Sequence, residues 1–106
     1  MVNKILTAAG IPYRRGRFTA KAPATYAVYM DDVATIGPDE RPERLERHEV
    51  TIELYESKPN DKAEASIESA IAAEGLQYTK QDRYWLQSEQ LYQVVYDITY
   101  YVKRRT

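Results

Sequence analysis

The chain contains no cysteine. Disulfides and thiolate metal sites are therefore excluded, and the composition identifies no redox compartment. Glycine is scarce: the 4 present stand isolated, and no glycine-rich phosphate loop can be built from them. Histidine occurs once, as His48 between Arg47 and Glu49. It opens an alternating run, which reads as a solvated strand-end side chain rather than a catalytic one. No serine sits in a recognisable nucleophile motif. No apolar run approaches the ~20 residues of a membrane-spanning helix. The opening MVNKILTAAGIP has only a short apolar section without a signal-peptide layout, so a cytosolic protein and no membrane partner are expected. An excess of one charge is missing too: Lys and Arg number 15, Asp and Glu 16, for a net charge of −1. Nothing global then attracts nucleic acid or an anionic membrane.

What the chain has in quantity is tyrosine. Its 106 residues include 10 tyrosines, but only 1 tryptophan and 1 phenylalanine. A tyrosine buries a ring and still needs a partner for its hydroxyl. Such side chains suit surfaces that are half dry and half wet, as subunit contacts are. The length fits one domain, residues 1–106, with one modest core.

Local patterns divide the chain. Val2, Ile5, Leu6 and Ala9 fall at helical spacing before Gly10 and Pro12, which predicts a short helix over 2–9. Residues 11–17 read as extended or looped and carry Arg14, Arg15 and Arg17. TYAVYMDD, Thr25 to Asp32, reads as a strand, extended to Ile36 past a bend at Asp31–Asp32. On it Tyr26, Val28 and Met30 share one face, with Ala27 and Tyr29 on the other. GPDERPERLER, residues 37–47, reads as an exposed loop or hairpin tip. HEVTIELYES alternates: Val50, Ile52 and Leu54 inward, Glu49, Thr51 and Glu53 outward.

KPNDKAEASIESAIAAEG is the clearest helix. Asn60 or Asp61 caps it, Ala63, Ile67, Ala70 and Ile71 form its apolar stripe, and Gly75 stops it. LQYTKQDRYW and LQSEQLYQVVYDITYYVKRR read as two long strands joined near Leu86–Glu89. On the last, Tyr92, Val94, Tyr96, Ile98, Tyr100 and Val102 share the core face, beneath the Ile67–Ile71 helix. Tyr101 faces away. The order predicts an α+β domain: a mainly antiparallel sheet of four to five strands with two helices packed on one face.

The acidic pairs Asp31–Asp32 and Asp39–Glu40 read as turn residues, because adjacent strand positions point to opposite faces and make no ready chelate. No cofactor or metal is expected. Aromatics near arginines on a sheet can stack single-stranded bases, but Tyr92, Tyr96 and Tyr100 alternate with polar residues as core does. Tyr29, Tyr55 and Tyr101 fall opposite the apolar stripes, beside charge, as interface aromatics do. Scattered surface tyrosine would look the same.

TYAVYMDD, then HEVTIELYESKPND leading into a helix, then YTKQDRYWLQSEQLYQVVYDITYYVKR together resemble small morphogenesis proteins of tailed phages and prophages. The likeness is to siphophage tail terminator, or tail completion and head–tail joining, proteins. It runs from about Ala24 to Arg105; residues 37–47 carry no part of it. The resemblance implies protomers that form a ring, typically of about six, closed by a heterologous interface. Such a ring caps the head-proximal end of the tail tube, ends its polymerisation and docks the head connector. It involves no chemistry and no cofactor. The implied partners are further copies of the chain, the tail tube protein and the head connector protein. Nucleic acid enters only as DNA passing through the ring. The implied location is the head–tail junction of a virion made in a bacterial cytoplasm. A neighbouring connector or minor capsid role belongs to the same class; a single-stranded nucleic-acid-binding module is the alternative outside it. The interface candidates are Arg14, Arg15, Arg17, Tyr29, Arg44, Arg47, Tyr55 and Tyr101. Arg44 and Arg47, on the charged loop, are expected to meet acidic groups of a neighbour or of the tail tube.

Overall fold

A computed structural model describes residues 1–16, 24–36 and 43–105, with the side chains of residues 43, 44, 104 and 105 outside the description. Helix α1 spans Val2–Ala9 and buries Val2, Ile5 and Leu6. Gly10 ends it in the left-handed region, at φ 72°, a conformation open to glycine at no steric cost. The chain then forms a short strand, β1 (Tyr13–Arg15), and the long strands β2 (Thr25–Ile36) and β3 (Glu43–Glu56). Helix α2 (Asp61–Ala73) follows, then β4 (Thr79–Lys80), β5 (Tyr84–Leu86) and β6 (Leu91–Arg105). Asn60 caps α2 by accepting a hydrogen bond from the Ala63 N–H at 3.0 Å.

The strands form one sheet in the order β1-β2-β3-β6-β4, with β5 also on β6. Among the described strands only β1 runs parallel to its neighbour. The fold is α+β, as expected, with six strands among the described residues rather than four to five. The added strands have physical causes. The segment 11–17 pairs at Tyr13–Arg15, clamped by hydrogen bonds from Ala27 N–H to Pro12 and from Gly16 N–H to Tyr29. The expected long strand over 76–85 is instead two fragments. Thr79 and Lys80 pair with Asp97 and Tyr96, whereas Tyr84 pairs with Gln93, a register shifted by one residue. That extra residue is a β-bulge, which re-aims the side chains of residues 81–83.

Two further expectations are corrected. No bend interrupts β2 at Asp31–Asp32, since β2 pairs with β3 without a break from Thr25 to Ile36. Residues 43–47 are not loop; they continue β3 and pair with β6. Residues 37–42 lie outside the description.

The core lies between the helices and one face of the sheet. Val50, Ile52, Leu54, Val94, Tyr96 and Ile98 meet Ile5, Leu6, Ile67 and Ile71 in one cluster. The alternation of β3 and β6 places these residues as the sequence suggests. On β2 the inner face is the opposite of the expected one. Ala27 pairs with Leu54 and Tyr29 with Ile52, so Ala27 and Tyr29 face the helices. Tyr26, Val28 and Met30 lie on the outer face, where Val28 is still buried. Tyr26, Val28 and Met30 make the more apolar face of β2, yet the small Ala27 is the one at the core. The radius of gyration is 15.5 Å, against roughly 13 Å for a compact chain of this length. The excess comes from the strands: the molecule measures 50 × 27 × 22 Å.

Candidate interface site

Among the described residues, one face of the sheet lies under the helices and the other carries no helix. The uncovered outer face is fixed by register. Tyr26 lies opposite Tyr55, and Tyr55 opposite Gln93. The two rings stack at 5.0 Å with 19° between planes. Gln93 donates to the Tyr55 hydroxyl at 3.1 Å and to Glu53 at 3.1 Å. Burial raises the pKa of both phenols, and nearby carboxylates add to the effect. This end of the face is thus an ordered aromatic platform.

Acidic groups follow along the same face. Val28 pairs with Glu53, Asp32 with Glu49, and Thr51 with Asp97. Thr51 donates to Asp97 at 3.3 Å, and Gln81 donates to it at 3.2 Å. Past them, Arg47 lies opposite Tyr101, and Leu45 opposite Lys103. Arg47 Nε reaches Glu49 at 3.3 Å. Tyr101 is 57% exposed, with Met30 at 44% and Ile36 at 37% on the same face.

The candidates therefore separate. Tyr55, Arg47, Tyr101 and Arg14 share the outer face, Arg14 at the β1 edge opposite Val28. Arg15 is exposed on the other side of β1, opposite Tyr29. Tyr29 is not an exposed contact residue: it is half-buried against the core, 6.2 Å from the Tyr13 ring. Arg17 and the Arg44 side chain lie outside the described residues; the Arg44 backbone pairs with Arg104.

His48 is not a solvated strand end. It is buried in mid-strand, stacked on Tyr100 at 4.6 Å. Its Nδ1 lies 3.1 Å from Asp31 and its Nε2 3.4 Å from Glu46. The alternation that turns Val50 inward turns His48 inward as well. Of the three core-face tyrosines of β6, Tyr96 is fully buried. Tyr92 is half-buried against Trp85 at 4.7 Å, and Tyr100 against His48. None of the three forms an open stacking platform for bases.

A second polar cluster escaped the sequence reading. Glu56, Glu64, Glu68, Lys80 and Arg83 meet between α2 and the bulge. A signal existed. Glu56 has the parity of Leu54, while Glu64 and Glu68 flank Ile67 and Ile71 at helical spacing. Of its cations, Lys80 comes from the two-residue strand β4 and Arg83 from the bulge after it, which leaves no mark in hydrophobic periodicity.

No protein-family model and no curated protein matches the chain. Among solved structures it is similar to a chain of one titled "Virion of native gene transfer agent (GTA) particle". The TM-score is 0.65 at 12% identity, over 94% of this chain and 84% of that one. At that identity the likeness is one of fold.

Proposed function

We propose that the chain is a structural protein of a phage-like virion, acting as a tail terminator at the head–tail junction. The observation that carries this reading is the fold likeness to a virion component, which spans 94% of the chain. The resemblance of residues 24–105 to tail terminator proteins points the same way. In this role about six copies form a ring by heterologous contact. The ring caps the head-proximal end of the tail tube and offers its other side to the head connector, with DNA passing through. The role requires no cofactor and no reaction.

The outer sheet face is the contact surface this role calls for. Strands β2, β3 and β6 present roughly 40 by 14 Å there. That is on the order of 600 Å², near the ~800 Å² per partner of a standard interface. It carries Tyr55 and Tyr101 as amphipathic anchors. Acidic Asp32, Glu49 and Glu53 lie between Arg47 on one side and Arg14 on the other, so opposite charges can meet across a head-to-tail contact. Arg15 borders the same edge.

The test is polymerisation of the cognate tail tube protein with and without this chain, followed by electron microscopy. Shorter tubes with extra density at one end are expected. Tubes of unchanged length with bare ends would refute the terminator role.

A further inference from the structure

The buried cluster of the core ends at the level of Val50 and Ile98, and β2, β3 and β6 continue past it as a three-stranded arm. The pairing of β3 is unbroken with β2 from Thr25 to Ile36 and with β6 from Tyr92 to Arg105. In such a ladder successive residues turn their N–H and C=O groups to opposite sides. Ala27 donates to Pro12 and Tyr29 accepts from Gly16, so the odd-numbered residues of β2 turn away from β3. Val95 accepts from Gln81, so the odd-numbered residues of β6 also turn away from β3. Strand β1 accompanies β2 only to Tyr29, and β4 accompanies β6 only to Asp97. Beyond those points no described strand lies beside either edge. The backbone groups of Asp31, Val33 and Thr35 on one edge, and of Thr99, Tyr101 and Lys103 on the other, therefore point outward. All of these residues but Asp31 are exposed, Val33 to 52%.

The two edges match each other. Residues 30–36 of β2 and 99–105 of β6 are equal in length, and neither segment contains proline or a bulge, two devices that guard an edge against pairing. Each carries charge of one sign. Residues 30–36, MDDVATI, hold Asp31 and Asp32; residues 99–105, TYYVKRR, hold Lys103, Arg104 and Arg105. Asp32, opposite Glu49, and Lys103, opposite Leu45, stand on the same outer face of the sheet. Pairing β2 with β2, or β6 with β6, sets like charges together; pairing β2 with β6 sets unlike charges together. Direction fits as well. Both strands run antiparallel to β3 and so parallel to each other. Rotation about an axis along the strands preserves that direction, as a head-to-tail ring requires.

We propose that the β2 edge of one copy pairs with the β6 edge of the next in a parallel ladder, joining their sheets head to tail. The partner of each edge is thus a second copy of this chain. The proposal rests on the ring of the proposed role and names the backbone contact that closes it. The ladder satisfies the outward groups of both edges and shields Val33 and Tyr101.

The experiment is residue-resolved amide hydrogen exchange on the whole chain, dilute and concentrated, with mass followed by light scattering. On assembly the amides of Val33, Thr35, Tyr101 and Lys103 should gain at least about tenfold protection, while those of Asp32 and Ala34, already turned to β3, change little. Val33→Pro removes an outward N–H and leaves the β2–β3 ladder intact, so it should fold and assemble only at concentrations at least about tenfold higher. Assembly without the alternating gain in protection would overturn edge pairing, as would a Val33→Pro variant that assembles like wild type or a wild-type chain that never assembles. If the variant does not fold, the wild-type exchange decides alone. The tube-length assay is independent of these results: shortened tubes with unprotected edges would overturn the ladder and keep the terminator role.

Discussion

Tyr96 of β6 donates its hydroxyl to Glu68 of α2 at 2.8 Å, tying the centre of the sheet to the helix above it. The ring is fully buried. The bond and the burial can be separated by substitution. Tyr96→Phe removes a bond to a charged acceptor and should cost about 1.5–3 kcal/mol. Tyr96→Ala also opens a cavity and should cost about 3–5 kcal/mol. Urea denaturation of both variants checks the pair; equal losses would mean the ring is not packed as described.

The start of α2 rests on Asn60. Its side chain accepts the Ala63 N–H at 3.0 Å and donates to Thr25 at 3.3 Å. Asn60→Ala should lower stability by about 1 kcal/mol. Asn60→Asp keeps the acceptor and should restore most of the loss. Thermal melts of the two variants give the comparison.

Buried Glu56 gives stability a pH dependence of known sign. Burial raises its carboxyl to about 7, so its contribution is complete below 4.5 and lost as pH rises to about 7. Glu64 and Glu68 run the other way. Despite burial, their cationic and hydroxyl partners hold them low, and their contribution is lost as pH falls. Stability should therefore peak in mildly acid solution. Glu56→Gln should match wild type near pH 4.5 and exceed it increasingly up to about pH 7. Denaturation midpoints across that range would show parallel curves if Glu56 were an ordinary carboxylate.

His48 bridges Asp31 of β2 and Glu46 of its own strand while stacking on Tyr100. His48→Leu preserves the bulk and removes both polar contacts. A loss of about 1–3 kcal/mol is expected, because a partly buried carboxylate loses its imidazole partner. An unchanged denaturation midpoint would return His48 to the role of a surface side chain.

Tyr101 is 57% exposed on the outer face, opposite Arg47. Tyr101→Ala should change stability by less than about 0.5 kcal/mol. If the outer face mediates assembly, the same variant should weaken self-association. A large drop in melting temperature would show instead that Tyr101 is packed in the protomer.

The two helices, the inner faces of β3 and β6 and the Asn60 cap were legible in the sequence, because a period of 3.6 or 2 and a capping residue are local signals. The unread parts depend on pairing. Ala27 and Tyr29 face the core because β2 meets Leu54 and Ile52, and hydrophobicity along β2 alone favours the other face. Residues 43–47 look like loop by charge, yet backbone pairing with β6 makes them strand. The Glu56–Arg83 approach needs a bulge that shifts register by one residue. Of the interface candidates, Tyr55 and Tyr101 could be placed by parity, whereas Tyr29 inherited the inverted face of β2.

The most direct test of the account is the solution mass by light scattering, across protein concentration and at two salt levels. A closed ring with heterologous contacts through the outer face predicts a discrete species of about six protomers. It should weaken in high salt and in an Arg47→Glu, Tyr101→Ala variant. A protein that stays monomeric at every concentration, or a multimer indifferent to that variant, would contradict it.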